Sequence, residues 1–273
     1  MKTTFFFKLR NYVARLVGWL GLIPFPFTPI ENWHSKLLSL VPQSRLSDLN
    51  EFFRNGGRVP NDYEFFVANG GIVPKSLVSA HQKFLQDGGN ESLSGLSEIK
   101  DRRVVLLGGY LGDSTEHYLN LKAKEIVVFE PIEEYFEQLE KRFAGNPRVQ
   151  LVKEAAWIRN ETLTFSMDGD GTGLSGKSDK SIHVKGISLS DWLKTNSRGE
   201  NFFMEMNIEG SEYPIVDDLI STGALAVIET LLVQFHDFTQ DSEFQRAELR
   251  QKLRVSHSEV FNYPWIWEKW SKK

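Results

Sequence analysis

The stretch that most constrains the fold of this chain is residues 104–115, which read VVLLGGYLGDST. An aliphatic run ends in two glycines, and a third glycine precedes Asp-Ser-Thr. This order predicts a buried strand, a tight turn and a helix with Asp113 as its N-cap. Glycine has no Cβ, so its backbone can approach a ligand closely or adopt a positive φ. In an open α/β sheet, a nucleotide-like ligand binds at such a turn.

After this turn, the chain alternates between strands and helices. EIVVFE at residues 125–130 predicts a second buried strand, and Pro131 is expected in the first turn of the helix that follows. Further strands are expected at 149–152, 202–207 and 226–235, with helices at 211–221 and 242–253 and a last hairpin after residue 254. Such alternation predicts an α/β fold with a doubly wound, mostly parallel seven-stranded sheet over residues 96–273.

The middle of the chain has a different sequence pattern, with short strands around a glycine-rich loop. Residues 162–166 alternate like an antiparallel strand, and residues 183–187 form another short strand. Between them, DGDGTGLSGKSDK at residues 168–180 is rich in glycine and polar side chains. Two interpretations stay open for this loop: a lid over an acceptor site, or an insert without a function of its own.

Residues 1–95 are expected to form a helical N-terminal extension. Residues 5–23 carry Leu9, Val13, Leu16 and Leu20 on one helical face and basic or polar side chains on the other. Charges interrupt this segment, so it does not predict a membrane span or a signal peptide. It is either a helix packed on protein, which we favour, or an interfacial helix on an anionic membrane. The expected location is the cytoplasm, with peripheral membrane contact left open.

Composition excludes several classes of site. The 273-residue chain has no cysteine, which excludes disulfides, thiolate nucleophiles and cysteine-ligated zinc. Its net charge is −4, and no basic stripe interleaved with aromatic residues is present, so no nucleic-acid partner is expected. A homo-oligomer is compatible with the composition.

The spacing of small residues in the glycine turn separates two ligand classes. A dinucleotide fingerprint needs glycine at positions one, three and six, where this chain has Gly108, Tyr110 and Asp113. A methyltransferase turn needs small residues at positions one, three and five, and Gly108 and Gly112 supply the outer two. Glu130 ends the second strand, where a carboxylate can accept hydrogen bonds from both hydroxyls of a ribose. A dinucleotide-dependent oxidoreductase is therefore the weaker alternative.

Three blocks, in this order, resemble the FkbM-type methyltransferases, a family of S-adenosylmethionine-dependent O-methyltransferases. They are LLGGYLGDST at residues 106–115, VVFEPIEEYFEQLEKRF at 127–143 and EMNIEGSE at 205–212. The family's blocks are Asp-Val-Gly-Ala-Asn-Ile-Gly-Asp, a Phe-Glu-Pro block with its helix, and Lys-Ile-Asp-Val-Glu-Gly-Ala-Glu. The resemblance covers about residues 104–236 and implies a Rossmann-like methyltransferase fold.

The resemblance also implies a function and a set of ligand contacts. The implied cofactor is S-adenosylmethionine, and the implied reaction is methylation of a hydroxyl on a small molecule or a glycan. The residues implied to bind the cofactor are Gly108, Gly109, Tyr110, Gly112, Ser114, Glu130, Pro131, Ala156, Asn207 and Glu209.

The chain departs from the family pattern where catalysis is most sensitive. Leu106 replaces the acidic residue that opens the first block, and leucine has no acceptor to hold the methionine part of the cofactor. Tyr110 and Asn207 replace Asn and Asp, while Glu205 replaces Lys. These departures support an alternative: a non-catalytic protein that binds a ligand or partner on a degenerate methyltransferase fold.

His236 follows the long strand 226–235, at the end of the sheet where the site is expected. An unperturbed imidazole pKa of about 6.5 suits a general base, so His236 is the candidate catalytic residue. Glu212 is expected to serve the first turn of its helix. A divalent metal held by Asn207, Glu209 and His236 is compatible with the sequence, but no ligand spacing requires one, so no metal ligand is assigned.

Overall fold

The computed structural model describes residues 84–89, 99–166, 181–236 and 242–273. The chain separates into two compact units, residues 1–83 and 84–273, and the account below concerns the second. The expected helix at 5–23 and the glycine-rich loop at 168–180 lie outside the described residues, and the expected domain boundary at residue 95 stays a prediction. No helix in the described ranges is long and apolar enough to cross a membrane.

The main sheet has seven strands, in the order β3-β2-β1-β7-β8-β10-β9. Its strands are β1 (Arg103–Leu107), β2 (Glu125–Phe129), β3 (Val149–Val152), β7 (Phe202–Met206), β8 (Ile228–Val233), β9 (His257–Tyr263) and β10 (Trp267–Lys272). The five strands β3, β2, β1, β7 and β8 are parallel to one another, and β10 runs antiparallel to both β8 and β9. The predicted doubly wound, mostly parallel seven-stranded sheet is therefore confirmed, together with the final hairpin.

Helices cover both faces of this sheet. They are α1 (Asp113–Asn120), α2 (Glu133–Arg142), α3 (Leu189–Asn196), α4 (Glu212–Ser221) and α5 (Ser242–Ser256). Side chains alternate along β1, so Leu106 packs with Tyr118 of α1 and Leu139 of α2. Leu107 lies in the opposite core with side chains of α3, α4 and α5. Burial on both faces explains why this strand reads as an uninterrupted aliphatic run.

A separate three-stranded sheet, with the order β4-β6-β5, was not predicted as such. It contains β4 (Ala155–Trp157), β5 (Glu161–Ser166) and β6 (Ser181–Ser188). The alternation predicted β5, and a short strand was predicted within β6, but their antiparallel pairing was not predicted. Strand β4 has three residues, too few to show a period. Ile132, Leu163, Phe165 and Val184 form its core, which places this sheet beside the start of α2.

Two predicted helix starts were wrong by one or two residues. Gly112, with φ 90°, is the N-cap of α1, and Asp113 is the first helical residue. Ile132 is the N-cap of α2, so Pro131 precedes the helix and does not lie in its first turn.

Gly108 allows the backbone after β1 to pass close to the backbone after β7. Its φ is 91°, and a Cβ at this position would lie 2.4 Å from the backbone oxygen of Asn207. Its amide donates to the carbonyl of Phe129 at 3.0 Å, so the residue is held by β2 on the other side. The glycine at this position is required by the approach of two backbone segments, which a side chain would block.

We expect Gly108→Ala to lower the free energy of unfolding by about 3 kcal/mol, because it combines a strained φ with a backbone clash. Gly145→Ala is the matched control. Gly145 has φ 74° with no atom within 4 Å of an added Cβ. Its substitution should cost about 1 kcal/mol, from φ strain alone. Urea denaturation measures both values, and equal losses would contradict the steric role of Gly108.

Candidate functional site

A cavity of about 310 Å³ lies at the carboxyl ends of β1, β2 and β7, between the main sheet and the small sheet. From β1 the chain passes to β2 and β3 on one side, and later to β7 and β8 on the other. This reversal is the topological switch point, where ligands bind in open α/β sheets. The predicted residues that line the cavity are Gly108, Tyr110, Glu130, Pro131, Ala156, Asn207 and Glu209.

Glu130 holds the glycine turn by hydrogen bonds to its backbone. Its Oε2 accepts from the amides of Gly109 at 3.1 Å and Tyr110 at 2.9 Å, and its Oε1 accepts from the amide of Ile132 at 2.9 Å. Burial raises the pKa of this carboxyl, against the opposing effect of the three amide donors. A carboxylate has about four acceptor positions, so one is left for a ligand. The ribose contact expected for Glu130 stays a prediction.

Gly109, Gly112 and Ser114 are not among the residues that line this cavity. A Cβ on Gly112 would lie 2.6 Å from the ring of Phe143, so this glycine allows α1 to pack on α2. The Ser114 hydroxyl donates to Oε1 of Glu205 at 2.8 Å. These three residues contact the protein itself, and their predicted cofactor contacts stay predictions.

Glu205 lies directly beside Leu106, its Cα partner in the register of β1 and β7. Tyr118 and Ser114 both donate hydroxyl hydrogen bonds to its carboxylate, at 2.5 and 2.8 Å. Burial raises the pKa of Glu205. Glu205 thus places an acidic residue on the strand next to Leu106, and its carboxylate is bound by two side chains of α1 and does not line the cavity. In the sequence, Leu106 and Glu205 are two separate departures from the family pattern. The pairing of β1 with β7 would have shown that they are neighbours.

Glu212 organises the turn between β7 and α4. Its side chain is fully buried. Its Oε1 accepts from the amide of Ile208 at 3.0 Å, and its Oε2 accepts from the amide of Gly210 at 2.9 Å. It occupies the first turn of α4, as expected. It also binds Nδ1 of His236 through Oε1, at 2.9 Å, a contact the sequence did not reveal.

His236 lies between two carboxylates. Besides Glu212, its Nε2 lies 3.4 Å from Oε1 of Glu209. Burial lowers the pKa of the imidazole, but the hydrogen bonds and charges of Glu209 and Glu212 outweigh it and raise the pKa to about 9. A general base needs a neutral imidazole, so a pKa raised to about 9 disfavours this role at neutral pH, and the assignment of His236 as the catalytic residue stays a prediction. The protonated ring has no lone pair to accept a proton. His236 is also absent from the cavity lining.

Aromatic rings form one side of the cavity. Tyr110 has a φ of 43° and packs edge-to-face on Tyr135, with ring centroids 4.7 Å apart. Both rings line the cavity, as does Phe165 of the small sheet. Tyr110 therefore lies at the wall of the cavity. Among the described residues, no group of three or more His, Cys, Asp or Glu side chains has the geometry of a metal site.

No protein-family model matches this chain. No curated protein matches it either. Solved structures with a similar fold include the methyltransferase FkbM from Methylobacillus flagellatus KT, at 12% identity and a TM-score of 0.47. That match covers 88% of this chain, but the chain spans only 57% of the FkbM structure. The family that the three sequence blocks resemble is thus present among the similar structures.

Two other similar structures are also methyltransferases. A proposed methyltransferase from Streptococcus mutans, in complex with SAH, is 12% identical, with coverage of 67% and 97% and a TM-score of 0.43. An rRNA methylase from Streptococcus thermophilus is 14% identical, with coverage of 67% and 94% and a TM-score of 0.40. At such identities and TM-scores, activity does not transfer from one protein to another. The expectation of no nucleic-acid partner stays a prediction.

The pKa of His236 predicts a pH-dependent stability. Because the folded pKa of about 9 lies above the unfolded value of 6.5, the stabilisation is fully present below pH 6.5 and is lost as the pH rises through about 9. We expect the stability gap between the parent and His236→Gln to narrow by about 2–3 kcal/mol between pH 6 and pH 9.5. Urea denaturation across this range measures it.

The exposed His183 provides the control for this experiment. If His183→Gln shows the same narrowing, or if the His236→Gln gap is independent of pH, the assignment of a raised pKa to His236 is contradicted.

Proposed function

We propose that this protein is an S-adenosylmethionine-dependent O-methyltransferase that acts on a hydroxyl of a small molecule or a glycan. The observation that supports this most is the cavity at the switch point, bounded by the glycine turn that Glu130 holds. The acceptor class comes from the sequence resemblance, and the aromatic side of the cavity is compatible with it. Ring faces pack well against the apolar C–H faces of sugars.

The described residues fit the proposed cofactor in size and chemistry. The volume of about 310 Å³ lies at the lower end of the range for small-molecule sites. Phe129, Pro131 and Ile132 offer an apolar wall for an aromatic base, and Glu130 keeps one acceptor position for a hydroxyl. Asn207 and Glu209 add polar groups at the end of β7. When bound, the cofactor supplies a methyl group on a positively charged sulfonium.

The chain's own contribution would be mainly positioning. Methyl transfer requires the acceptor oxygen to be held in line with the bond that breaks, and such positioning supplies much of the acceleration. Glu130 and Glu212 fix the two turns that border the cavity, so the side chains they present have little freedom. Tyr110, Tyr135 and Phe165 would exclude water and contact the acceptor.

A non-catalytic binding protein on this fold is the second candidate. It is favoured by the contacts of Ser114, whose hydroxyl is engaged by Glu205, and by Leu106, which has no polar atom to offer a ligand. A dinucleotide-dependent oxidoreductase remains the weaker alternative. Membrane contact through residues 5–23 and homo-oligomerisation stay predictions.

Calorimetric titration tests the cofactor. We expect the parent protein to bind both S-adenosylmethionine and S-adenosylhomocysteine, and Glu130→Gln to weaken each by about tenfold, which corresponds to about 1.4 kcal/mol. Glu133→Gln is the matched control, because Glu133 starts α2 and does not line the cavity. It should change affinity less than about twofold. Circular dichroism confirms that each variant is folded.

The outcomes separate the candidates. If the parent binds neither compound, the methyltransferase proposal is wrong, and binding of NAD in their place favours the oxidoreductase. Transfer of a radiolabelled methyl group to a panel of sugars and phenols, with bulk RNA as a parallel arm, distinguishes an O-methyltransferase from a binding protein. Label in RNA alone would contradict the acceptor class proposed above.

A further inference from the structure

Glu209 is held in an unfavourable backbone conformation at the wall of the cavity. Its φ is 54°, in the left-handed region, and Gly210 after it also has a positive φ of 96°. A non-glycine residue in this region costs about 1–2 kcal/mol. Strained residues that the surroundings hold in place cluster at binding sites. Glu209 is therefore a candidate binding residue of the cavity.

Glu212 and His236 hold Glu209 in this backbone conformation. Glu212 binds the amides on both sides of Glu209, those of Ile208 and Gly210, and so holds the turn closed. His236 bridges the Glu212 and Glu209 carboxylates through its two ring nitrogens. Tyr213 donates its hydroxyl to the backbone oxygen of His236 at 2.7 Å, which fixes the bridging residue in turn.

Charge from this cluster reaches the cavity through Glu209. Glu209 lines the cavity, whereas Glu212 and His236 are not among its lining residues. The cluster contains two carboxyl groups and one imidazole, so its acidic groups outnumber its basic one. The second carboxylate of the wall, Glu130, has three backbone donors of its own. Among the described lining residues there is no lysine, arginine or histidine to neutralise Glu209 from inside the cavity.

We propose that Glu209 makes this cavity select a positively charged ligand over the neutral counterpart of the same shape, and that His236 is the positioning residue that holds Glu209 there. The inference rests on the proposed function, because a sulfonium compound and its thioether are the natural pair to compare. It goes further by assigning charge selection to one side chain. A carboxylate attracts a cation in a partly enclosed site much more strongly than in bulk water.

The test compares three probes by calorimetry at constant ionic strength. S-adenosylmethionine carries a sulfonium, sinefungin carries an ammonium at the equivalent position, and S-adenosylhomocysteine carries a neutral sulfur. We expect Glu209→Gln to weaken binding of the two cations by about tenfold relative to S-adenosylhomocysteine. Because the two cations differ in shape, a loss shared by both reports charge and not a contact with the methyl group.

Glu229→Gln is the matched control. Glu229 lies near the start of β8, at the opposite end of the strands from the cavity, and pairs with Arg102 at 2.8 Å. It removes the same charge from the protein without touching the site, and the affinity ratio of cation to neutral probe should change less than about twofold.

His236→Gln tests the positioning role. We expect it to lower the ratio of cation to neutral affinity towards the value for Glu209→Gln, although Glu209 is still present. A merely structural role would weaken all three probes together and leave the ratio unchanged, whereas loss of the positive charge of His236 with Glu209 still in place would raise the ratio. Either result would overturn the assignment of His236 as the positioning residue.

The possible failures are distinguishable. An unchanged ratio in Glu209→Gln, with all probes still bound, overturns the charge-selection proposal and leaves the proposed function intact. Absence of binding of all three probes to the parent overturns the proposed function, and charge selection between these probes with it.

Discussion

Two buried carboxylates hold the turns from which the cavity is built. Glu130 accepts hydrogen bonds from the amides of the turn after β1, and Glu212 accepts them from the turn after β7. Backbone amides at a strand-to-helix turn have no partner in regular structure and must be satisfied when they are buried. A carboxylate satisfies several of them at once, with charge-assisted hydrogen bonds stronger than those of a neutral acceptor. Both turns depend on this interaction.

Because of these hydrogen bonds, acidic residues at the strand ends have roles other than the ligand contacts expected from the sequence. Such residues were expected to face a ligand, and Glu130 and Glu209 do line the cavity. Yet the oxygens of Glu130 are largely engaged by the chain itself, and Glu212, assigned to helix electrostatics, connects the turn to His236. Of these three carboxylates, Glu209 is the one that lines the cavity without accepting hydrogen bonds from the amides of a turn in the described contacts. The electrostatics of the site therefore depend on which carboxylates accept hydrogen bonds from backbone amides.

The departures from the family pattern also acquire a structural context. Leu106 on β1 stands where the family pattern has an acidic residue, and Glu205 on β7, its register partner, stands where that pattern has Lys. Its contacts with Ser114 and Tyr118 draw it to α1, on the face of the sheet opposite Leu107 and the cavity floor. Ser114 of the first block and Glu205 of the third block are therefore hydrogen-bonded to each other within the protein.

The sequence by itself determined the seven-stranded main sheet of the described residues, because strand and helix periods are local properties. The aliphatic run of β1, the glycine turn, the alternating β5 and the final hairpin were all predictable from neighbouring residues. Spacing also placed Glu130, Asn207 and Glu209 around one cavity, since the carboxyl ends of parallel strands meet at one edge. Helix starts at Asp113 and Pro131 were misjudged, because the cap depends on backbone dihedrals that nearby residues do not specify.

Only the tertiary structure decided the chemistry of the cavity wall. The raised pKa of His236 arises from two carboxylates that lie 24 and 27 positions away in the chain. The carboxylate at Glu205 became neighbour to Leu106 through strand pairing, and the three-residue β4 was defined only by its partner β6. Protonation, burial and hydrogen-bond partners are set by groups brought together from distant positions, and no local pattern in the sequence carries that information.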